Sequence, residues 1–264
     1  MRKKEKERNN IVEKIKEKRA IVIIVVAALL LIGAMAWFFG GTERDIVTTD
    51  DHRVCGEDFT DQRDNNTYST IKIGDLCWMQ ENLAYLPEVH EMRDESREEP
   101  RYYVYGYDGT NENDAKEEDN YRTYGVLYNF SAAKEVCPEG WRLATDDDFK
   151  DLESSIGMKE GSVNHNGWRG EEEGSKLSGR EELWDDGELK NSEAFGDLEF
   201  NVLPGGMVVS GHFGELGRQG YFWASKDDND NLWRRYFHYD LTKINRNVVT
   251  NKEMGFSVRC VKEE

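Results

Sequence analysis

No Gly-x-Ser-x-Gly elbow, Walker loop or His-Glu-x-x-His helix occurs in the 264 residues. The usual sequence marks of a serine hydrolase, a nucleotide-driven enzyme or a zinc protease are therefore missing. The five histidines, His52, His90, His165, His212 and His238, are scattered without metal-ligand spacing, and each reads as a surface or strand residue. Basic residues are scarce beyond the N-terminus. Residues 1–19 hold nine Lys or Arg and four Asp or Glu, whereas the rest of the chain holds 26 and 49, a balance of −23. Such a surface repels nucleic acid and anionic lipid, so nucleic-acid binding is excluded. The acid excess reads either as solubility and colloidal repulsion outside the cell, the favoured account, or as a store of carboxylates for divalent cations.

Charge is absent altogether from Ala20 to Thr42, 23 positions centred on Ile, Val, Leu and Ala. As a helix this run measures roughly 34 Å, enough to cross a bilayer core. The basic segment before it puts the N-terminus in the cytoplasm and everything after it outside. Ala34-Met35-Ala36 fits a signal-peptide cleavage site, but Trp37, Phe38 and Phe39 continue the apolar run past it, which favours a retained anchor. No cysteine lies in or just after the stretch, so lipoprotein attachment is unsupported. The organisation expected is a basic cytoplasmic segment at 1–19, a transmembrane signal anchor at 20–42, a linker at 43–58 and an extracytoplasmic domain at 59–264.

All four cysteines, Cys55, Cys77, Cys137 and Cys260, fall on the exported side, an even number that predicts two disulfides. Three pairings are possible. Seven Trp, twelve Tyr and eleven Phe supply material for one core.

Along the domain, Thr67 to Ile73 and Cys77 to Leu83 read as a hairpin turning at Gly74-Asp75. Residues 87–123, acidic and Tyr-rich with little aliphatic content, read as a surface excursion without a core. A short helix runs from Ser131 to Val136, capped by Asn129 or Ser131. A second helix starts at Thr145, with Asp146, Asp147 and Asp148 at its positive end and Phe149, Leu152 and Ile156 as a core stripe. Gly157 to Gly196 reads as ordered loop anchored by Trp168 and Trp184. Short strands follow at Met207–Ser210, Tyr221–Ser225, Leu232–Tyr239, Arg246–Thr250 and Gly255–Lys262. In the last, Phe256, Val258 and Cys260 share a buried face.

Six ordered strings carry a family likeness. They are Lys72-Ile73-Gly74 with Cys77 to Leu83, Tyr124-Gly125 with Leu127-Tyr128-Asn129, Cys137 to Trp141, Leu203-Pro204-Gly205-Gly206, Tyr221 to Ser225, and Gly255 to Val261. Together they resemble the Fibrobacter succinogenes major paralogous domain, from about Phe59 to Lys262. The resemblance implies an α+β, C-type-lectin-like fold related to the formylglycine-generating enzymes. In it two short helices pack on small antiparallel sheets with long loops, here preceded by one transmembrane helix. It also implies a bridge from Cys137 to Cys260, leaving Cys55 with Cys77.

Two candidate sites follow. Asp227, Asp228 and Asp230, with Asn229 and Asn231, form an oxygen-rich run between two strands, where many C-type lectins hold calcium, although Glu-Pro-Asn and Trp-Asn-Asp signatures are missing. Asp108 to Asp119 is not an EF-hand, because Thr110 and Glu112 stand where Asp or Asn is needed. On the strand Leu232 to Tyr239, one face carries Trp233, Arg235, Phe237 and Tyr239, the other Arg234, Tyr236 and His238. If the second is exposed, its aromatic and cationic mixture suits a sugar or a protein partner.

The function expected is a membrane-anchored extracytoplasmic binding or adhesion module of a bacterial envelope, needing no cofactor, its ligand a glycan or an envelope protein. The alternatives are a structural envelope component that packs against partner proteins, and an oxidase of the formylglycine-generating type.

Overall fold

The β-branched residues Thr70, Ile71 and Ile73 pair with Leu76 to Met79 around Gly74, which takes the left-handed φ of +65° that the tight turn demands. This hairpin belongs to a computed structural model that describes residues 55–225 and 232–263. In chain order, a ribbon of β1 (Phe59–Thr60) and β2 (Thr67–Tyr68) precedes β3 (Thr70–Ile73) and β4 (Leu76–Met79). Then come β5 (Tyr102–Tyr103), α1 (Glu112–Glu117), α2 (Asp119–Tyr124), β6 (Leu127–Tyr128) and α3 (Phe130–Ala133). β7 (Arg142–Leu143) leads into α4 (Asp146–Ser155), followed by α5 (Glu160–Val163), β8 (Gly167–Arg169), α6 (Glu173–Leu177) and α7 (Glu188–Asn191). The last part is strand: β9 (Gly205–Val209), β10 (His212–Leu216), β11 (Gln219–Ala224), β12 (Trp233–His238), β13 (Leu241–Val248) and β14 (Cys260–Glu263).

Two larger sheets result. One has the order β3-β4-β14-β7, so the closing strand sits inside the N-terminal hairpin's sheet. The other has the order β10-β9-β11-β12-β13-β8, antiparallel except where β11 meets β9. The six-stranded sheet separates two cores. On one side Phe222, Phe237 and Ile244 pack with Trp78, Phe149 and Leu152. On the other Tyr221 and Trp223 pack with Tyr128, Phe130 and Phe256. Each fully buried aromatic or leucine stabilises by about 1.5–3 kcal/mol relative to exposure.

Cys55 is bonded to Cys77, 22 residues away, and Cys137 to Cys260, 123 away, the pairing that the resemblance implied. In the chain-entropy account loops of these lengths contribute about 3 and about 5 kcal/mol. The longer bridge ties the end of the α3 region to the closing strand.

Several expectations are corrected. The fold is richer in sheet and in helices than two short helices on small antiparallel sheets, because its main sheet has six strands with a parallel pair and the described residues form seven α-helices. Among those residues no helix is long and apolar enough to cross a membrane, against the expected fold class with its preceding transmembrane helix. The run 20–42 on which it rested lies outside the described residues. Residues 87–123 do carry core: Val89, Tyr103, Val104 and Ala115 are buried, and Tyr102, Tyr107 and Tyr121 pack half-buried against the cluster that holds Val89, Val104 and Ala115, so tyrosine rings replace the missing aliphatics. Gly157 to Gly196 is not loop but three helices and β8, an edge strand too short for its alternation to show in sequence. The short helix expected at Ser131 to Val136 starts one residue earlier and ends three earlier, at Phe130–Ala133, with Asn129 as its cap through the Ala132 amide.

Candidate functional site

β12 alternates as its sequence pattern predicts. Trp233, Arg235 and Phe237 are buried, whereas Arg234, Tyr236 and His238 are half-buried on the opposite face. Pairing extends that second face sideways, because Tyr236 lies across from Tyr221 of β11 on one side and from Asn245 of β13 on the other, and Asn245 lies across from Trp168 of β8. One row therefore reads Tyr221, Tyr236, Asn245, Trp168. Trp168 meets Tyr236 edge to face at 4.7 Å and His238 at 6.2 Å, and Tyr236 stacks on Tyr221 at 5.1 Å. Tyr221 stacks in turn on the buried Phe256 at 5.1 Å. Trp168 stays 36% exposed, so a large indole is held against a ring platform yet open to solvent. Gly167, at φ +82°, sets the turn into β8 that puts Trp168 there.

The Arg234 guanidinium lies 5.0 Å from the Tyr236 ring centre and 5.5 Å from that of Tyr221, within cation–π range. Its Nε is buried without a hydrogen-bond partner. Asn247 donates to Asn245 Oδ1 at 2.7 Å. His238 is held below the usual histidine pKa, first by burial and then by Arg218, with Asp240 and Glu215 opposing. It accepts from the Asp240 amide at 3.2 Å and is neutral at neutral pH.

The inner face of the same strands carries an ion cluster. Asp146 accepts from Arg235 at 2.8 Å and from Arg246 at 2.8 and 2.5 Å. Glu153 accepts from Arg169 at 2.6 and 2.8 Å and from Arg235 at 2.7 Å. All five side chains are buried. Burial would raise the Asp146 pKa, but the two guanidiniums hold it down at about 2. Each arginine adjoins a residue of the outer face in the chain: Arg169 follows Trp168, Arg235 separates Arg234 from Tyr236, and Arg246 separates Asn245 from Asn247. The cluster thus fixes the backbone from which the outer side chains project. Asp146 stands in the first turn of α4, as the sequence reading has it, and with Glu153 it also belongs to the face of that helix that is buried against the sheet.

The other predicted site residues do not join this face. Asp227, Asp228 and Asp230 lie outside the described residues, and among the described residues no group of three or more His, Cys, Asp or Glu is arranged to hold a metal. All four cysteines are in disulfides. Sequence reasoning missed Trp168, Asn245 and Asn247, yet a signal existed: β8, β11, β12 and β13 contain no Asp or Glu in a chain that has 53.

A separate cleft of about 410 Å³ is lined by Glu81, Asn82, Tyr121, Arg180 and Asn201 among others. Its signature residues are engaged in holding the chain together. Asn82 Nδ2 donates to the Tyr124 carbonyl at 3.0 Å and to Ser257 Oγ at 3.2 Å, and its Oδ1 accepts from Arg259 Nε at 3.1 Å. Arg259, wholly buried, also donates to the carbonyls of Met79 at 3.0 Å, Phe200 at 2.6 Å and Asn201 at 2.6 Å. Burial lowers its pKa, with Glu81 acting the other way. The first, second and last of the six strings are thus bonded to one another as scaffold.

No curated protein and no solved structure matches the chain. The Fibrobacter succinogenes major domain matches over residues 71–262, a span that takes in the hairpin, the Cys137–Cys260 bridge and the outer face described above. On that match the chain belongs to the Fibrobacter succinogenes major domain family.

Proposed function

We propose that this chain is a binding module that acts outside the cytoplasm and recognises a carbohydrate of the cell envelope on the face formed by Trp168, Tyr236, Arg234 and His238, without altering it chemically. Trp168 carries the reading. It is a solvent-open indole braced by Tyr236 at 4.7 Å on strands that a buried ion cluster locks in place, so little side-chain entropy remains to be lost on contact. The half-buried amide of Asn247, held by the buried Asn245 Oδ1 at 2.7 Å, offers the hydrogen bonding that sugar hydroxyls need. Two disulfides support an oxidising compartment. Against an oxidase of the formylglycine-generating type stands the fact that every cysteine is bonded, which leaves no thiolate to react.

The test is a glycan array and an envelope-protein array probed with the full-length chain and its Trp168→Ala variant. Glycan signals present in the first and lost in the second are expected. Signals on proteins alone, glycan signals unchanged in the variant, or conversion of a retained glycan to new products would each overturn the reading.

A further inference from the structure

Resting on that reading, we infer that the glycan is acidic, a saccharide bearing carboxylate or sulfate groups. The charge distribution is the argument. The chain has 53 acidic residues to 35 basic, so most of its surface repels an anion. The strands that build the outer face break this rule: β8, β11, β12 and β13 carry Arg169, Arg234, Arg235, Lys243 and Arg246 and no carboxylate. Asp146 and Glu153 neutralise the inner arginines in part, as their bonds to Arg169, Arg235 and Arg246 show.

Arg234 stands on the outer face, and Lys243 is exposed two positions before Asn245, where the register between β12 and β13 shifts. Among the described residues neither forms an ion pair within 4.0 Å. Glu171, the acid whose pKa Lys243 helps to lower, is itself paired with Lys159 at 2.5 Å. Glu215 and Asp240 stand at the His238 rim, and Glu215 already accepts from Gln219 at 2.9 Å.

Arg234 is set up to meet an anion. Three aromatic rings lie within 6.0 Å of its half-buried guanidinium, which restricts its motion. Planar guanidinium matches carboxylate and sulfate geometry in two-point contacts. The adjacent indole supplies the contact for the sugar ring. A neutral glycan would use the ring and leave the cations idle.

The experiment measures binding of the full-length chain to polygalacturonate and dextran sulfate, with hydroxyethylcellulose and dextran as neutral counterparts, for the parent and for Trp168→Ala, Arg234→Gln and Lys243→Gln. Retention of both disulfides and of the thermal midpoint shows that each variant is folded. Binding of one or both acidic polymers is expected. It should weaken about tenfold in Trp168→Ala and about two- to fivefold in each charge variant. The charge effects should vanish near 0.5 M salt, where the screening length shrinks to a few ångströms. A response to polygalacturonate assigns the carboxylate source and a response to dextran sulfate the sulfate source. Equal binding of the neutral polymers, lost in Trp168→Ala, would overturn the acidic preference while leaving the binding face intact. Polyanion binding indifferent to Trp168→Ala would be general ion exchange and would overturn the inference. No binding of any polymer, with glycan array signals also absent, would remove the face itself.

Discussion

The two faces of the six-stranded sheet use the same kinds of residue to opposite ends. On the inner face three arginines are buried against two carboxylates at 2.5–2.8 Å, and charge is matched and dry. On the outer face Arg234 lies among rings with no carboxylate in range among the described residues, and Trp168 is open to water. Residues one apart on β12, Arg234 and Arg235, thus meet different fates because successive side chains point to opposite sides. An arginine therefore acquires its role from the face that its parity selects and from the partners that the rest of the chain delivers there.

If that contrast is right, variants inside should cost stability and variants outside should cost binding. The largest effect is expected for Asp146→Ala, which strands Arg235 and Arg246 without their shared acceptor and should destabilise by about 3–5 kcal/mol in urea unfolding. Acid should reproduce part of it. The Asp146 carboxyl titrates at about 2 in the fold against a usual 3.8, so its contribution is complete above about pH 4 and is lost as the pH falls towards 2. Melting temperature followed over that window should drop in the parent and flatten in Asp146→Asn. A smaller cost, about 1 kcal/mol by thermal melting, is expected for Thr145→Ala. That change opens the capping box in which Thr145 accepts from the Asp148 amide at 3.0 Å and Asp148 from the Thr145 amide at 2.7 Å. Trp168→Ala should change stability least, by no more than about 1 kcal/mol for the lost ring contact, while removing glycan retention. A loss of several kcal/mol in Trp168→Ala would erase the distinction between the faces.

Much of the scaffold was legible. The hairpin around Gly74, the Thr145 cap, the Phe149 and Leu152 stripe and the alternation of β12 are local patterns of period 2 or 3.6, and local patterns survive folding unchanged. The resemblance added the disulfide pairing. The core under 87–123, with Tyr103 buried and Tyr102, Tyr107 and Tyr121 half-buried, was not legible, because Tyr serves both surface and core and composition does not say which. β8 was missed as well, since three residues are too few to show a period. The half of the site on β12 was visible in sequence. Its other half, Trp168 with Asn245 and Asn247, was hidden in a segment taken for loop and in a strand read without reference to its neighbours.

Sequence alone determined the even cysteine count, the acid excess, the cap and stripe of α4 and the two-sidedness of β12, because each depends on neighbours along the chain. Tertiary structure decided that Asp146 and Glu153 would meet Arg169, Arg235 and Arg246, and that Trp168 would come to rest on Tyr236, 68 positions further on. Such pairings depend on strand order and register. Those are settled by which long-range contacts bury the most apolar surface while leaving no buried charge alone, a balance struck over the whole domain.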